Sequence, residues 1–180
     1  RGKNACYEGA RVPCLVRWPR RLPAGATSDR LVANLDLAPT ILAAAHTPHA
    51  DYPTDGVDIL PRLLGNPEAR SRDALFLEVG YSRALVTDRW KYIANRPTSA
   101  VRQAMQREAA QAHSRLDRRI DWQGVENPHW GEQGTWFYLS RDFPHYFDED
   151  QLYDLLADPF EQQNLLTRKP DKATQLRDQL

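Results

Sequence analysis

LFLEVGYSRALVTDRWKYIAN, residues 75–95, is the stretch on which the fold turns. It holds three runs rich in aliphatic, β-branched and aromatic side chains: Leu75 to Val79, Arg83 to Thr87 and Trp90 to Ala94. Only Gly80-Tyr81-Ser82 and Asp88-Arg89 separate them. Connections that short join antiparallel neighbours, because a parallel crossover needs a far longer link. The spacing therefore predicts a small antiparallel meander. Trp90, Tyr92 and Ala94 share one face by the two-residue period, and that face is expected to meet helices. Gln151 to Leu155 offers a fourth strand, followed by a turn at Asp158-Pro159. A last helix is expected to start at Pro170 and to turn Ala173, Leu176 and Leu180 inward.

Upstream, Val12 to Trp18 (VPCLVRW) is a short apolar run entered and left through prolines, which suits a buried strand of an α/β sheet. After PRRLPAG, Asp36 to Ala45 spaces Leu37, Ile41, Leu42 and Ala45 as a helix does, with Asp36 as N-cap. Pro39 falls in the first turn, where its missing N–H is not needed. Asp55-Gly56 turns the chain before Ile59, Leu60, Leu63 and Leu64, an amphipathic stretch closed by Gly65. Between the third and fourth strands, Ser99 to Ile120 carries Val101, Met105, Ala109, Ala112, Leu116 and Ile120 at helical steps. An aromatic-rich loop from Asp121 to Asp150 follows, with a further short strand expected at Trp136 to Leu139. The expected fold class is α/β, with residues 1–66 forming the end of an α/β catalytic sheet, its closing strand and helices. Residues 67–180 form a small C-terminal α+β domain. It combines a four-stranded antiparallel sheet, a packed terminal helix, and an inserted helix and aromatic loop at 98–150.

A chain of 180 residues is one domain, or one with an appendage. Its 24 Lys and Arg balance 24 Asp and Glu without a long run of one sign, so neither a nucleic-acid arm nor an acidic tail is supported. The apolar stretch Leu37 to Ala45 is far short of the roughly 20 residues of a membrane helix. Two cysteines, Cys6 and Cys14, are too few for a disulfide scaffold and lack zinc-type partners; both are expected as buried thiols. The sequence opens at Arg1 without a charged and then apolar leader, which reads as the C-terminal part of something longer. No nucleophile elbow, phosphate-cradling loop, HExxH or CxxC is present, so the residues alone name no reaction. His46 and His49 sit in a polar, proline-rich link and are expected to be solvated. His129, Trp130, Trp136, Phe137, His145 and Tyr146 sit amid Gly and Pro and suit stacking on sugar or aryl rings, with His129, Trp130 and Trp136 the candidate substrate-binding residues. The alternative is a satellite hydrophobic cluster under a long loop.

The run GKNACYEGARVPCLVRWP, residues 2–19, resembles a segment of the sulfatase family. There a Gly-Lys is followed four residues later by an aromatic, then Glu-Gly-Gly, a basic residue, Pro, and a strand ending in Trp-Pro. NLDLAPTILAAA is similar to the family's Asp-Leu-Ala-Pro-Thr helix, and Asp55-Gly56 to its Asp-Gly turn. Arg83 to Ile93 resembles its Arg and Trp-Lys-Tyr-Ile hairpin. Leu152-Tyr153-Asp154-Leu155, with Asp158-Pro159, Glu161 and Asn164-Leu165, resembles its closing signature. The resemblance implies a sulfuric ester hydrolase built on an alkaline-phosphatase-like α/β sheet. It also implies a formylglycine nucleophile and a calcium ion, both held by residues outside this sequence, and a sulfated small molecule or glycan as substrate. The residues fix no compartment, and the same resemblance favours a periplasmic or secreted one. Lys3 matches the family's lysine that contacts the sulfate, and is the one catalytic residue expected here. An ammonium on a flexible stem can follow the charge that develops on the sulfate and the leaving oxygen. Ala10 replaces the second Gly of Glu-Gly-Gly, and Glu8 and Arg11 are expected as a structural ion pair or loop anchor rather than as an acid or base. A phosphodiesterase or phosphonate monoester hydrolase of the same superfamily, and a non-catalytic glycan-binding module, are the competing expectations.

Overall fold

The protein is described from a computed structural model, over residues 11–47, 54–79, 81–100, 102–103, 106–107 and 144–180. The chain divides into two compact units. One comprises residues 11–75 with 86–88, and the other 76–85 with the described parts of 89–180.

In the first unit a 3-10 turn, Asn34–Asp36, leads into helix α1, Leu37–Ala44. A short helix α2 spans Leu60–Leu63. Pro39 lies in the first turn of α1 as expected, and Pro39 and Thr40 form its buried side. His46, at φ 53°, ends the helix and is exposed. Gly65, at φ 96°, ends α2, a conformation that glycine adopts without a Cβ penalty. Asp36 is not the side-chain N-cap that the spacing suggested. Its own backbone is already helical and its carboxylate caps no amide of α1; it accepts instead from the Ala33 amide at the start of the 3-10 turn and from partners farther along the chain.

Val12 to Trp18 differs from the expectation of a buried strand. A strand persists only where a neighbour takes up its N–H and C=O groups, and among the described residues no segment pairs with this one. Val12, Leu15 and Val16 are correspondingly exposed, Leu15 to 94%. Cys14, expected as a buried thiol, is a free and exposed one for the same reason.

The second unit centres on a four-stranded sheet in the order β1 (Leu75–Val79), β2 (Ser82–Val86), β3 (Trp90–Asn95), β4 (Asp150–Asp154). β3 and β4 run antiparallel, with Trp90 opposite Asp154, Tyr92 opposite Leu152 and Ala94 opposite Asp150. Helix α3, Pro170–Arg177, lies against β3 and buries Ala173 and Leu176. The Lys169 and Lys172 ammonium groups stand 5.8 and 5.9 Å from the Trp90 ring, so the Trp90 face meets this helix as its periodicity indicated. The opposite face is covered as well. Ile93 and Tyr153 pack there with Ala84 and Tyr146, and Leu77, Tyr81, Phe147 and Leu155 close the cluster. Residues 99–100, 102–103 and 106–107 are helical, in line with the spacing that begins at Ser99.

Candidate functional site

Lys3, His129, Trp130 and Trp136 lie outside the described residues, as do Glu8, Ala10, Cys6 and His49. The described residues carry three polar centres and one aromatic cleft.

The first centre explains the Asp-Leu-Ala-Pro-Thr patch and its distant Asp-Gly turn together. The Asp36 carboxylate is wholly buried. It accepts hydrogen bonds from the Ala33 amide at 2.8 Å and from the Val57 amide at 2.7 Å. Arg72 adds Nε at 2.9 and 3.0 Å and a terminal nitrogen at 2.5 Å. The same guanidinium donates to the Asp55 carbonyl at 2.6 Å. One helical turn on, the Thr40 hydroxyl donates to the Asp36 carbonyl at 2.6 Å and accepts from the Ile59 amide at 3.1 Å. Asp36 and Thr40 thus clamp the segment 55–59 along α1. Gly56 is required at the crossing, since a Cβ there would stand 2.3 Å from the Leu35 carbonyl oxygen and 2.9 Å from Pro39 Cγ. Burial pushes the Asp36 carboxyl up, but the Arg72, Val57 and Ala33 hydrogen bonds outweigh it and hold the group below its ordinary value. Hydrogen bonding to Asp36 raises the Arg72 guanidinium in turn.

The second centre holds the sheet and explains the Trp-Lys-Tyr-Ile hairpin and the closing signature. Lys91 Nζ meets Glu161 Oε1 at 2.5 Å, and both side chains are almost fully buried. Glu161 reaches it from a left-handed backbone, φ 57°. Arg89 binds Asp154 through Nε at 3.1 and 3.2 Å and a terminal nitrogen at 2.7 Å, which holds the Asp154 carboxyl below its ordinary value. The Tyr92 hydroxyl donates to Asp150 at 2.5 Å and Arg96 donates to the same oxygen at 2.6 Å. Burial, then the Asp150 carboxylate, push the Tyr92 phenol up to about 12. Asn164 accepts from the Leu152 and Leu166 amides, each at 3.0 Å, and donates to the Asp150 carbonyl at 3.1 Å.

The third centre is His145, whose Nδ1 lies 2.9 Å from Asp148 Oδ2, an oxygen that also accepts from Asn164 at 3.0 Å. Beside it a shallow cleft is lined by Tyr81, Asn95, Pro97, Arg102, Tyr146 and Phe147. Tyr146 and Phe147 meet edge to face, with ring centroids 5.4 Å apart. The Asn95 amide donates to the Tyr146 and Asp148 carbonyls at 3.0 and 3.2 Å, and its oxygen accepts from the Ser82 hydroxyl. Arg102 pairs with Glu149 at 2.7 Å. Burial pushes the Tyr81 phenol up.

Chemically these centres are framework. Asp36, Asp150 and Asp154 are each pinned in the charged form by a guanidinium, which makes them poor proton donors near neutral pH. Among the described residues no three His, Cys, Asp or Glu side chains gather to hold a metal ion. Sequence reasoning missed Arg72 and the Lys91–Glu161 pair. The Glu161 signal was available, an acidic residue within a recognised patch, whereas nothing near Arg72 in the sequence marks it.

Comparison with known proteins places this framework. The family model described as N-sulphoglucosamine sulphohydrolase, C-terminal, matches residues 3–98, just over half the chain. The mouse (Mus musculus) steryl-sulfatase is 41% identical over 78 residues, 42% of this chain and 12% of that protein. Human (Homo sapiens) arylsulfatase A is 40% identical over 81 residues, 44% of this chain and 16% of that protein. The ulvan-active sulfatase of Formosa agariphila is 28% identical over 176 residues, 91% of this chain and 30% of that protein. The chain therefore spans less than a third of the length of these curated relatives. A solved structure of a protein in complex with its substrate D-glucosamine-2-N,6-O-disulfate has the same fold. It superposes at a TM-score of 0.55 with 21% identity, covering 91% of this chain and 26% of that one. With the matched residues running from Lys3 through the first three strands of the sheet, the chain belongs to the sulfatase family, as part of its C-terminal region.

Proposed function

We propose that the protein containing this chain hydrolyses a sulfate ester on a carbohydrate or aryl alcohol, and that this chain contributes Lys3 to the sulfate pocket. The observation that carries the reading is the family match over residues 3–98, which begins at Lys3 itself. The disulfated glucosamine in the structure that shares the fold favours a sulfated glycan as substrate. The formylglycine nucleophile and the calcium ion that the resemblance implies are assigned to the rest of the protein.

Lys3 binds the sulfate oxygens and stabilises negative charge as it grows on the departing oxygen, in a pocket where water competes weakly. His129, Trp130 and Trp136 are assigned to the ring that carries the sulfate, through stacking and polar contacts beside it. The hubs at Asp36–Arg72 and Lys91–Glu161 keep the supporting segments rigid. Residues 1–66 are proposed to complete the catalytic α/β sheet and residues 67–180 to form the small C-terminal domain.

The test is steady-state hydrolysis by the full-length protein of an aryl sulfate and the matching aryl phosphate ester. Turnover of the sulfate and little of the phosphate is expected. The reverse preference would move the protein to the phosphorus-hydrolysing branch of the superfamily, and glycan binding without turnover of either would make it a binding module.

A further inference from the structure

Residues 11–28 contain Arg11, Arg17, Arg20 and Arg21 and no acidic residue, in a chain whose net charge is zero. All four are exposed. Elsewhere among the described residues Arg30, Arg72, Arg89, Lys91 and Arg96 each sit against a carboxylate. Among the described residues none of the four has such a partner, and Arg17, Arg20 and Arg21 stand together on the surface of this segment.

Three of them are gathered by one turn. The Arg21 and Leu22 amides both donate to the Trp18 carbonyl, at 3.1 and 2.9 Å, which folds Arg17 to Arg21 back on itself. The Arg21 guanidinium lies 5.5 Å from the centre of the half-buried Trp18 ring, a contact that limits its rotamers. Arg20 takes φ 70°, a left-handed backbone that costs an arginine conformational energy. Gly25 in this same loop and Gly65 take left-handed conformations without a Cβ penalty. Arginine at position 20 keeps a charge that glycine would discard.

We propose that the Arg17–Arg21 turn is a docking site for a sulfated polysaccharide. A guanidinium presents paired N–H donors in a plane that suits the oxygens of an oxyanion, and it is less strongly hydrated than an ammonium. Several of them within five residues match a polymer carrying sulfate at intervals better than a single small anion. The choice of a sulfated glycan over another polyanion rests on the proposed sulfatase function. The site therefore deepens that function, because it favours a polymeric substrate over a small aryl sulfate.

The experiment measures binding of a size-fractionated heparin oligosaccharide to the full-length protein across a salt series, with aryl sulfate turnover recorded on the same samples. Arg17→Gln/Arg21→Gln is expected to weaken binding about tenfold or more and to flatten its salt dependence. Lys169→Gln, a cation of the other unit, leaves it unchanged. Arg20→Gly separates charge from folding, since it removes the guanidinium and relieves the backbone; weaker heparin binding with an equal or higher melting temperature is expected. Unchanged heparin affinity in both Arg variants overturns the site, and so does equally tight binding of N- and O-desulfated heparin, single-stranded DNA or anionic vesicles. Absence of aryl sulfate turnover in the unmodified protein counts against the sulfatase function instead, and leaves the heparin comparison intact.

Discussion

Replacing Arg72 by Ala strips the buried Asp36 carboxylate of its counter-charge and measures what the hub contributes. The guanidinium supplies three hydrogen bonds to Asp36, at 2.9, 3.0 and 2.5 Å, and one to the Asp55 carbonyl at 2.6 Å. Charge-assisted bonds contribute about 1.5–3 kcal/mol each, so adding four of them overshoots. Asp36 retains the Ala33 and Val57 amides and can take up a proton. The expected loss is that of a buried pair broken from one side, about 3–5 kcal/mol. Its pH dependence follows from the direction of the shift. In the unmodified protein Asp36 sits below its unfolded value of about 3.9, so its contribution is complete above that value and disappears as pH falls through the folded one. In Arg72→Ala burial is opposed only by the two amides, and the folded value rises relative to that of the unmodified protein. The variant then recovers relative to the unmodified protein as the solution is acidified, and the penalty shrinks. Urea unfolding of the full-length protein at neutral and mildly acid pH gives the global cost. Hydrogen exchange at the Val57 amide, which donates to Asp36, reports the hub itself. A penalty below about 1 kcal/mol, the scale of an exposed pair, would refute the reasoning, as would one that grows on acidification.

Gly56→Ala drives a Cβ to 2.3 Å from the Leu35 carbonyl oxygen, which belongs to backbone and yields only by moving the 3-10 turn that leads into α1. A loss of at least about 1–3 kcal/mol in urea unfolding is expected. Lys91→Met leaves Glu161 charged and buried and is expected to cost about 3–5 kcal/mol, while Lys91→Met/Glu161→Met removes both charges and recovers most of it. A double variant as damaged as the single one would show that the pair contributes more than mutual compensation.

The sheet was legible in the sequence because its signals are local. Short links force antiparallel pairing, and the Pro170 start of α3 and the Gly65 end of α2 follow from backbone geometry at single residues. The two-residue period on β3 found the face that meets α3. It could not show that Lys91 and Ile93 are buried on the other face too, because what covers them is distant in sequence: Tyr146, just before β4, packs with Ile93, and Glu161, after it, pairs with Lys91. Val12 to Trp18 reads as a strand on composition, yet a ladder needs a neighbour and composition does not supply one. Asp36 reads as an N-cap by position, whereas Arg72, thirty-six residues on, decides what the carboxylate does. Family resemblance located the motifs, and the geometry separates their jobs. The Asp-Leu-Ala-Pro-Thr, Asp-Gly, Trp-Lys-Tyr-Ile and closing patches hold the fold together, and the proposed chemistry rests on the segment around Lys3.

Turnover by the full-length protein carrying Lys3→Ala is therefore the decisive measurement. Loss of the ammonium is expected to lower kcat/KM on an aryl sulfate by at least about tenfold, toward the 10²–10³ typical of a lost transition-state contact. The melting temperature is expected to stay nearly where it was. Full activity in that variant would contradict the assignment of this chain to the sulfate pocket.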